Sequence, residues 1–282
     1  MGHRTEPLQK TEHPRIDLGL EPLIEPVIKR LLGLKSAERI YFNLRASLGR
    51  GVSSQAFCKS ALTHLGVSFD LPHKKIRSLR RIEGPVVFVA NHPLGAIDAL
   101  LMIALMGEIR SDFKFMGNSI LRGLPELSSA LLPVHVMGKK PNVRNNVPVM
   151  RKALRYLREG GMVGIFPAGE VAAFNSWTSR KIVESGWNTN VGRLVKNSNA
   201  TVIPLFFEGR NSLLFQYVGL GVPGLRVALL AQEMLKYRAP VHFKIGDPVR
   251  PSELDSFVDT ESLTLHLRKR VFTLASDKER EQ

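Results

Sequence analysis

Two kinds of apolar pattern alternate along the chain. Short runs rich in β-branched and aromatic residues occur at Val86–Ala90, Phe113–Met116, Met162–Phe166, Thr201–Phe207 and Val241–Ile245. Their length and composition predict strands buried on both faces. Between them, Asp98–Leu105, Asn145–Glu159 and Val191–Asn197 carry apolar residues at helical spacing. The middle one opens with Asn145 or Asn146 as a cap and Pro148 in its first turn, sets Met150, Ala153, Leu154 and Leu157 on one face, and stops at Gly160-Gly161. Alternating strands and helices predict an α/β fold over residues 67–282, a largely buried central sheet flanked by helices.

Upstream the pattern changes. Leu20, Leu23, Ile24, Val27, Ile28, Leu31 and Leu32 recur at three- and four-residue spacing, with Lys29, Arg30 and Lys35 at other positions. A second helical stretch runs from Ser36 to Leu65, with Gly49 and Gly51 as candidate interruptions. Residues 20–66 thus read as an N-terminal amphipathic helix pair, after a polar leader at residues 1–19. Such a pair either packs on the domain behind it or docks on a membrane, lying in the lipid interface.

Composition narrows the class. The chain has 282 residues, 44% of them apolar, enough to bury a sizeable core. Its 23 Gly and 17 Pro follow no period, which excludes a collagen-like chain. The single cysteine, Cys58, excludes an intrachain disulfide framework and a thiolate-rich metal site, and the histidines show no metal-ligand spacing, so no metal is expected. Forty Lys+Arg against 25 Asp+Glu give a net charge of +15, which calls for an anionic surface or partner: nucleic acid or anionic lipid. There is no run of eighteen apolar residues, no apolar secretory segment in the first nineteen, and no nucleic-acid-binding signature beyond charge.

The first strand runs directly into Asn91-His92-Pro93-Leu94-Gly95-Ala96-Ile97-Asp98. In an α/β sheet the carboxyl ends of strands are where ligands bind. Pro93 and Gly95 prevent a straight helix between His92 and Asp98 and let the loop fold the carboxylate back toward the imidazole. A carboxylate on one ring nitrogen fixes the tautomer and raises the basicity of the other, making a general base. No Gly-x-Ser-x-Gly nucleophile elbow is present.

Asn91-His92 with Asp98, then Phe166-Pro167-Ala168-Gly169, Val202-Ile203-Pro204-Leu205 and Ile245-Gly246-Asp247-Pro248, taken in that order, resemble the motif series of the lysophospholipid acyltransferase family of glycerolipid acyltransferases, to which lysophosphatidate acyltransferases belong. The resemblance covers about residues 70–250. It implies that His92 takes the proton from an acceptor hydroxyl as its oxygen attacks an acyl thioester of acyl-carrier protein or coenzyme A, while Asp98 orients His92. It also implies an anionic membrane surface, a lysolipid acceptor, no cofactor beyond the thioester co-substrate, and a peripheral place on the cytoplasmic face of a bacterial inner membrane.

The sequence departs from the family pattern in places. The His-Asp spacing is one residue longer than usual. Where the family's glycerol-phosphate block has a glutamate and an arginine, this chain has Ala168 and Ala172, with Glu170 two residues beyond the first. The family's other arginine has no clean match near Val134; Lys139, Lys140 and Arg144 lie beyond it as candidate anion-binding residues, and Gly117 and Arg122 reproduce that block's spacing earlier in the chain. Together with Phe207-Glu208-Gly209-Arg210-Asn211-Ser212, these features most resemble the hemolysin-like subgroup, whose relatives acylate the hydroxyl of lyso-ornithine or lyso-glycine lipids. The resemblance sets Asn91, Pro93, Gly95, Phe166, Pro167, Ala168, Gly169, Glu170, Pro204, Glu208, Arg210 and Asn211 around the substrate. Three other readings remain at this stage: a non-catalytic lipid-binding protein of the same fold, a nucleic-acid-binding protein and a hydrolase. Trp177 and Trp187 read as packed indoles or interfacial anchors. His135 and His242, in strand-like stretches, read as core histidines.

Overall fold

The computed structural model describes residues 34–49, 51–135, 143–178, 181–221 and 223–275. The leader and the first amphipathic stretch lie outside the described residues, as do Lys139, Lys140 and the side chain of Arg144. No helix among the described residues is long and apolar enough to cross a membrane.

The strands are β1 (Val86–Ala90), β2 (Phe113–Asn118), β3 (Leu131–Val134), β4 (Met162–Ile165), β5 (Ala173–Phe174), β6 (Ile182–Val183), β7 (Thr201–Phe207) and β8 (Phe243–Ile245). Six of them form one sheet in the order β3-β2-β4-β1-β7-β8, and β5 and β6 make a separate small hairpin. Pairing in the six-stranded sheet is parallel except for β8, which runs antiparallel to β7 at the edge. Central β1 has every residue buried, as its run of valines requires.

The helices are α1 (Leu34–Leu48), α2 (Ser54–His64), α3 (His73–Leu79), α4 (Ala96–Ile109), α5 (Val143–Arg158), α6 (Asn190–Ser198), α7 (Leu213–Gly221), α8 (Pro223–Lys236), α9 (Pro251–Leu254) and α10 (Thr260–Phe272). Alternate strand side chains face opposite layers. Phe88, Ala90, Phe115, Ile203, Leu205 and Phe207 join the core built with α2, α3 and α4. Val87, Val89, Val163, Val202 and Phe206 join the core built with α5, α6 and α10. The result is a sheet between two helical layers, as the alternating pattern predicts.

Several boundaries differ from the sequence reading. The Ser36–Leu65 stretch is two helices, broken where Gly49 and Gly51 adopt φ of +75° and +78°. Helix α2 packs on the domain behind it: Phe57, Cys58, Ala61 and Leu62 are buried in the main core, so the domain's packing begins before residue 67. Helix α5 starts at Val143 rather than at an Asn145 or Asn146 cap. The Asn146 amide is engaged elsewhere, accepting from the His135 N–H and donating to the His135 carbonyl. His135 and His242 are both exposed, not core histidines, because they lie just outside β3 and β8. Trp187 is buried, whereas Trp177 is 63% exposed.

Candidate active site

Strand β1 ends at Ala90 and helix α4 begins at Ala96, so His92 sits on the connection leaving the carboxyl edge of the sheet. Asp98 lies in the first turn of α4, and its side chain is fully buried. One carboxylate oxygen, Oδ2, stands 3.1 Å from His92 Nδ1 and also accepts from the main-chain N–H groups of Leu94 (2.7 Å) and Gly95 (3.0 Å). The two N–H groups and the start of the helix hold the acid in place, and the acid holds the ring. With Nδ1–H donated to Asp98, Nε2 is left as the basic nitrogen, and the His92 side chain retains 16% exposure. Burial pushes the Asp98 carboxyl above the ordinary carboxylate value; the His92 ring and the Leu94 and Gly95 N–H groups oppose that shift.

Gly95 makes the turn possible. Its φ of +72° belongs to glycine, and a Cβ there would stand 2.5 Å from Leu230 Cδ2 and 3.3 Å from Val171 Cγ2. The extra residue between His92 and Asp98 is absorbed in this turn, and the imidazole and carboxylate still meet.

The neighbouring strands complete the surroundings. Phe166, directly after β4, stacks flat on the His92 ring at 3.9 Å between centroids and 10° between planes. The Pro167 carbonyl accepts from the Asn188 N–H, and Gly169 turns with φ of +74°. The chain then passes under His92, whose carbonyl accepts from Ala172 N–H at 2.9 Å. Asn91 braces β1 to β7 across the sheet edge, donating to the Phe207 carbonyl (2.9 Å) and accepting from the Phe207 N–H (2.7 Å). Asn211, buried after β7, donates to the Pro93 carbonyl at 2.9 Å. Asn91, Pro93, Gly95, Phe166 and Asn211 therefore gather with His92 and Asp98.

Other residues named from sequence lie differently. Pro204 is buried inside β7, opposite Val89, and does not line the edge. Lacking an N–H, it coincides with the place where β8 stops at Ile245 and pairing returns only as the single Val202–Val249 bridge. Glu170 points outward, accepting from the Ser185 hydroxyl and standing 3.7 Å from Arg226. Ala168 is half-buried against the core on the α5, α6 and α10 side. Glu208 pairs with Lys244 at 3.4 Å, and Arg210 is exposed.

Glu184 has no counterpart in the sequence reading. It is 7% exposed, follows β6, and burial pushes its carboxyl up to about 7. The Trp187 indole, Arg268 and the His92 main-chain N–H favour its ionised form without reaching full hydrogen-bond geometry, and the Asp98 charge opposes it. Its approach to His92 depends on the β5–β6 hairpin returning the chain across some ninety positions, and no local motif announces it. Gln216, which accepts the Phe174 N–H at 3.0 Å, is a second buried polar group of this kind. Among the described residues, no three of His, Cys, Asp and Glu converge as a metal site.

Residues 71–208, from just before α3 to the end of β7, match the family model described as acyltransferase. The chain is 27% identical over 174 residues to a lyso-glycine lipid O-acyltransferase of Phocaeicola vulgatus, an overlap covering 59% of this chain and 60% of that protein. A protein of the same name from Bacteroides thetaiotaomicron is 28% identical over 165 residues, covering 55% and 57% respectively. The matches thus span about three-fifths of the length of these curated relatives. The segment that carries His92 and Asp98 is thus similar, by the family model and by both relatives, to acyltransferases.

Proposed function

We propose that this protein is an O-acyltransferase that moves a fatty acyl group from an acyl thioester to the hydroxyl of a lysolipid. The observation that carries the reading is the His92–Asp98 pair at the carboxyl end of β1, with Nδ1 tied to the acid at 3.1 Å. The acceptor hydroxyl gives its proton to His92 Nε2 as its oxygen attacks the thioester carbonyl. The C–O ester bond forms, the C–S bond breaks, and the departing thiolate takes the proton back from the imidazolium. Asp98 steadies the ring and the transient positive charge. A base so placed is worth about 10²–10⁴ in rate. Because the thioester is already activated, the scheme needs neither an acyl-enzyme nor a cofactor.

Two features support a lysolipid of the amino-acid class as acceptor. The relatives above are named for lyso-glycine lipid, and Ala168 and Ala172 stand where the resemblance would set a phosphate-site glutamate and arginine. The donor is acyl-carrier protein or coenzyme A, and the net charge of +15 suits either anionic carrier as well as an anionic membrane. The place of action in this reading is the cytoplasmic face of a bacterial inner membrane, held peripherally.

The test is His92→Ala assayed for ester formation by mass spectrometry, with lyso-glycine lipid, lyso-ornithine lipid and lysophosphatidate each offered with an acyl thioester. Loss of product with the fold retained is expected. Product formation at the wild-type rate would remove His92 as the base, and exclusive use of lysophosphatidate would overturn the acceptor assignment.

A further inference from the structure

We propose that the exposed face of α7, together with Trp177, is the surface this protein lays on an anionic lipid bilayer, so that the edge carrying His92 faces the membrane. The proposal rests on the lysolipid reading for its purpose, while its observations are separate. Leu213 and Leu214 are 61% and 49% exposed at the start of α7. Tyr217 follows at helical spacing on the same face, whereas Phe215 and Gln216 are buried on the opposite one. Trp177, 63% exposed and far away in sequence, stacks on Tyr217 with centroids 6.2 Å apart and planes at 21°. Two segments therefore build one continuous apolar and aromatic patch in water. Indole and phenol rings, apolar in body and polar at the tip, suit the boundary between headgroups and acyl chains.

Charge and position identify the occupant. Arg122 and Arg210, exposed beyond the carboxyl ends of β2 and β7, form no ion pair among the described residues. An apolar patch with the exposed Arg210 three residues before Leu213, on a chain of net charge +15, complements acidic headgroups over a hydrocarbon layer. The patch is also fastened to the site. Gln216 on the buried side of α7 accepts the Phe174 N–H, Asn211 just before α7 donates to the Pro93 carbonyl, and Ala172, one residue before the hairpin, donates to His92.

The experiment uses the full chain and vesicles of three parts phosphatidylcholine to one part phosphatidylglycerol. The Trp177→Ser/Leu213→Ser/Leu214→Ser variant is expected to partition at least tenfold less, with its melting temperature unchanged because all three side chains are exposed. The Trp177→Phe/Leu214→Met variant is expected to retain partition, which separates lost apolar surface from a damaged fold. Activity on a lysolipid dispersed below its micelle concentration should survive in the serine variant. If His92→Ala abolishes acyl transfer but the serine variant partitions like wild type, the site stands and the docking surface is overturned. Unchanged partition accompanied by dissociation of a dimer would assign the patch to a second copy and likewise overturn the proposal. Weakened partition with activity intact in His92→Ala would support the surface and reject the site.

Discussion

Asp98→Asn isolates the charge of the proposed base's partner while keeping its shape. In the wild type one oxygen accepts three donors: the Leu94 and Gly95 N–H groups and His92 Nδ1–H. If the new amide keeps its oxygen at that position, all three bonds survive in weaker, neutral form, and the NH₂ falls where Oδ1 now lies, buried and without a partner. An orphaned buried donor costs about 1–3 kcal/mol in stability. If the amide flips, its NH₂ meets the two main-chain N–H groups, and His92 must present Nδ1 as an acceptor, which leaves the proton on the nitrogen that should act as base. Either way the imidazolium loses a counter-charge about 4 Å from its centre, worth roughly 4 kcal/mol at an effective dielectric of 20. The expected loss in kcat is thus about 10²–10⁴, close to that of His92→Ala, because the two side chains act as a unit. Release of free thiol from the acyl thioester, measured with a chromogenic disulfide in the presence of lysolipid, reports the rate. Folding is followed by urea titration. A folded Asp98→Asn protein within threefold of wild-type kcat would refute the assigned pairing.

Three further outcomes follow from neighbouring geometry. Gly95→Ala forces a side chain into φ of +72° and against Leu230, so it should destabilise the fold by about 2–3 kcal/mol and lower activity by displacing a donor to Asp98; the urea midpoint and kcat check both. Asn91→Ala leaves the buried Phe207 N–H and carbonyl without partners, and an expected loss of about 2–5 kcal/mol appears in the same titration. Glu184 binds its proton more tightly folded than unfolded, so its share of stability is complete below the ordinary carboxylate range and is lost as pH rises through about 7; Glu184→Gln should match wild type at pH 4 and exceed it by up to about 3 kcal/mol at pH 8. Urea titrations at both pH values test the sign, and an equal difference at the two would refute it.

Much of the fold was readable because its signals are local. A run such as Val86–Ala90 has one way to bury every side chain, and the Pro93–Gly95 pair excludes a continuous helix between His92 and Asp98. The strand Leu131–Val134 shows in the sequence only as a strand-like stretch around His135, without bounds, because Pro133 interrupts its pattern; it pairs with β2 alone at the sheet edge. Helices α7 and α8 were missed for a different reason. Apolar residues surround α7, and one exposed stripe of it is leucine, so no polar face marks a period.

The residues around His92 divide along the same line. The resemblance named Phe166 and Asn211, and the structure sets Phe166 directly after β4 and Asn211 four residues after β7, at strand ends that the sheet brings together whatever the loops do. Glu184 follows a two-residue hairpin strand and reaches His92 only because Ala172 is pinned to the His92 carbonyl and Asn188 to Pro167. A carboxylate there is destabilised by its surroundings, since burial raises it and the charge of Asp98 opposes its ionisation. Its neighbours Trp187 and Arg268 lean toward it from α6's approach and from α10, the layer that packs on Val87, Val89 and Val163, whereas Asp98 comes from α4 in the other layer. The site is therefore supported from both layers. The part legible in sequence is the part in which strand ends, rather than loop returns, decide what meets.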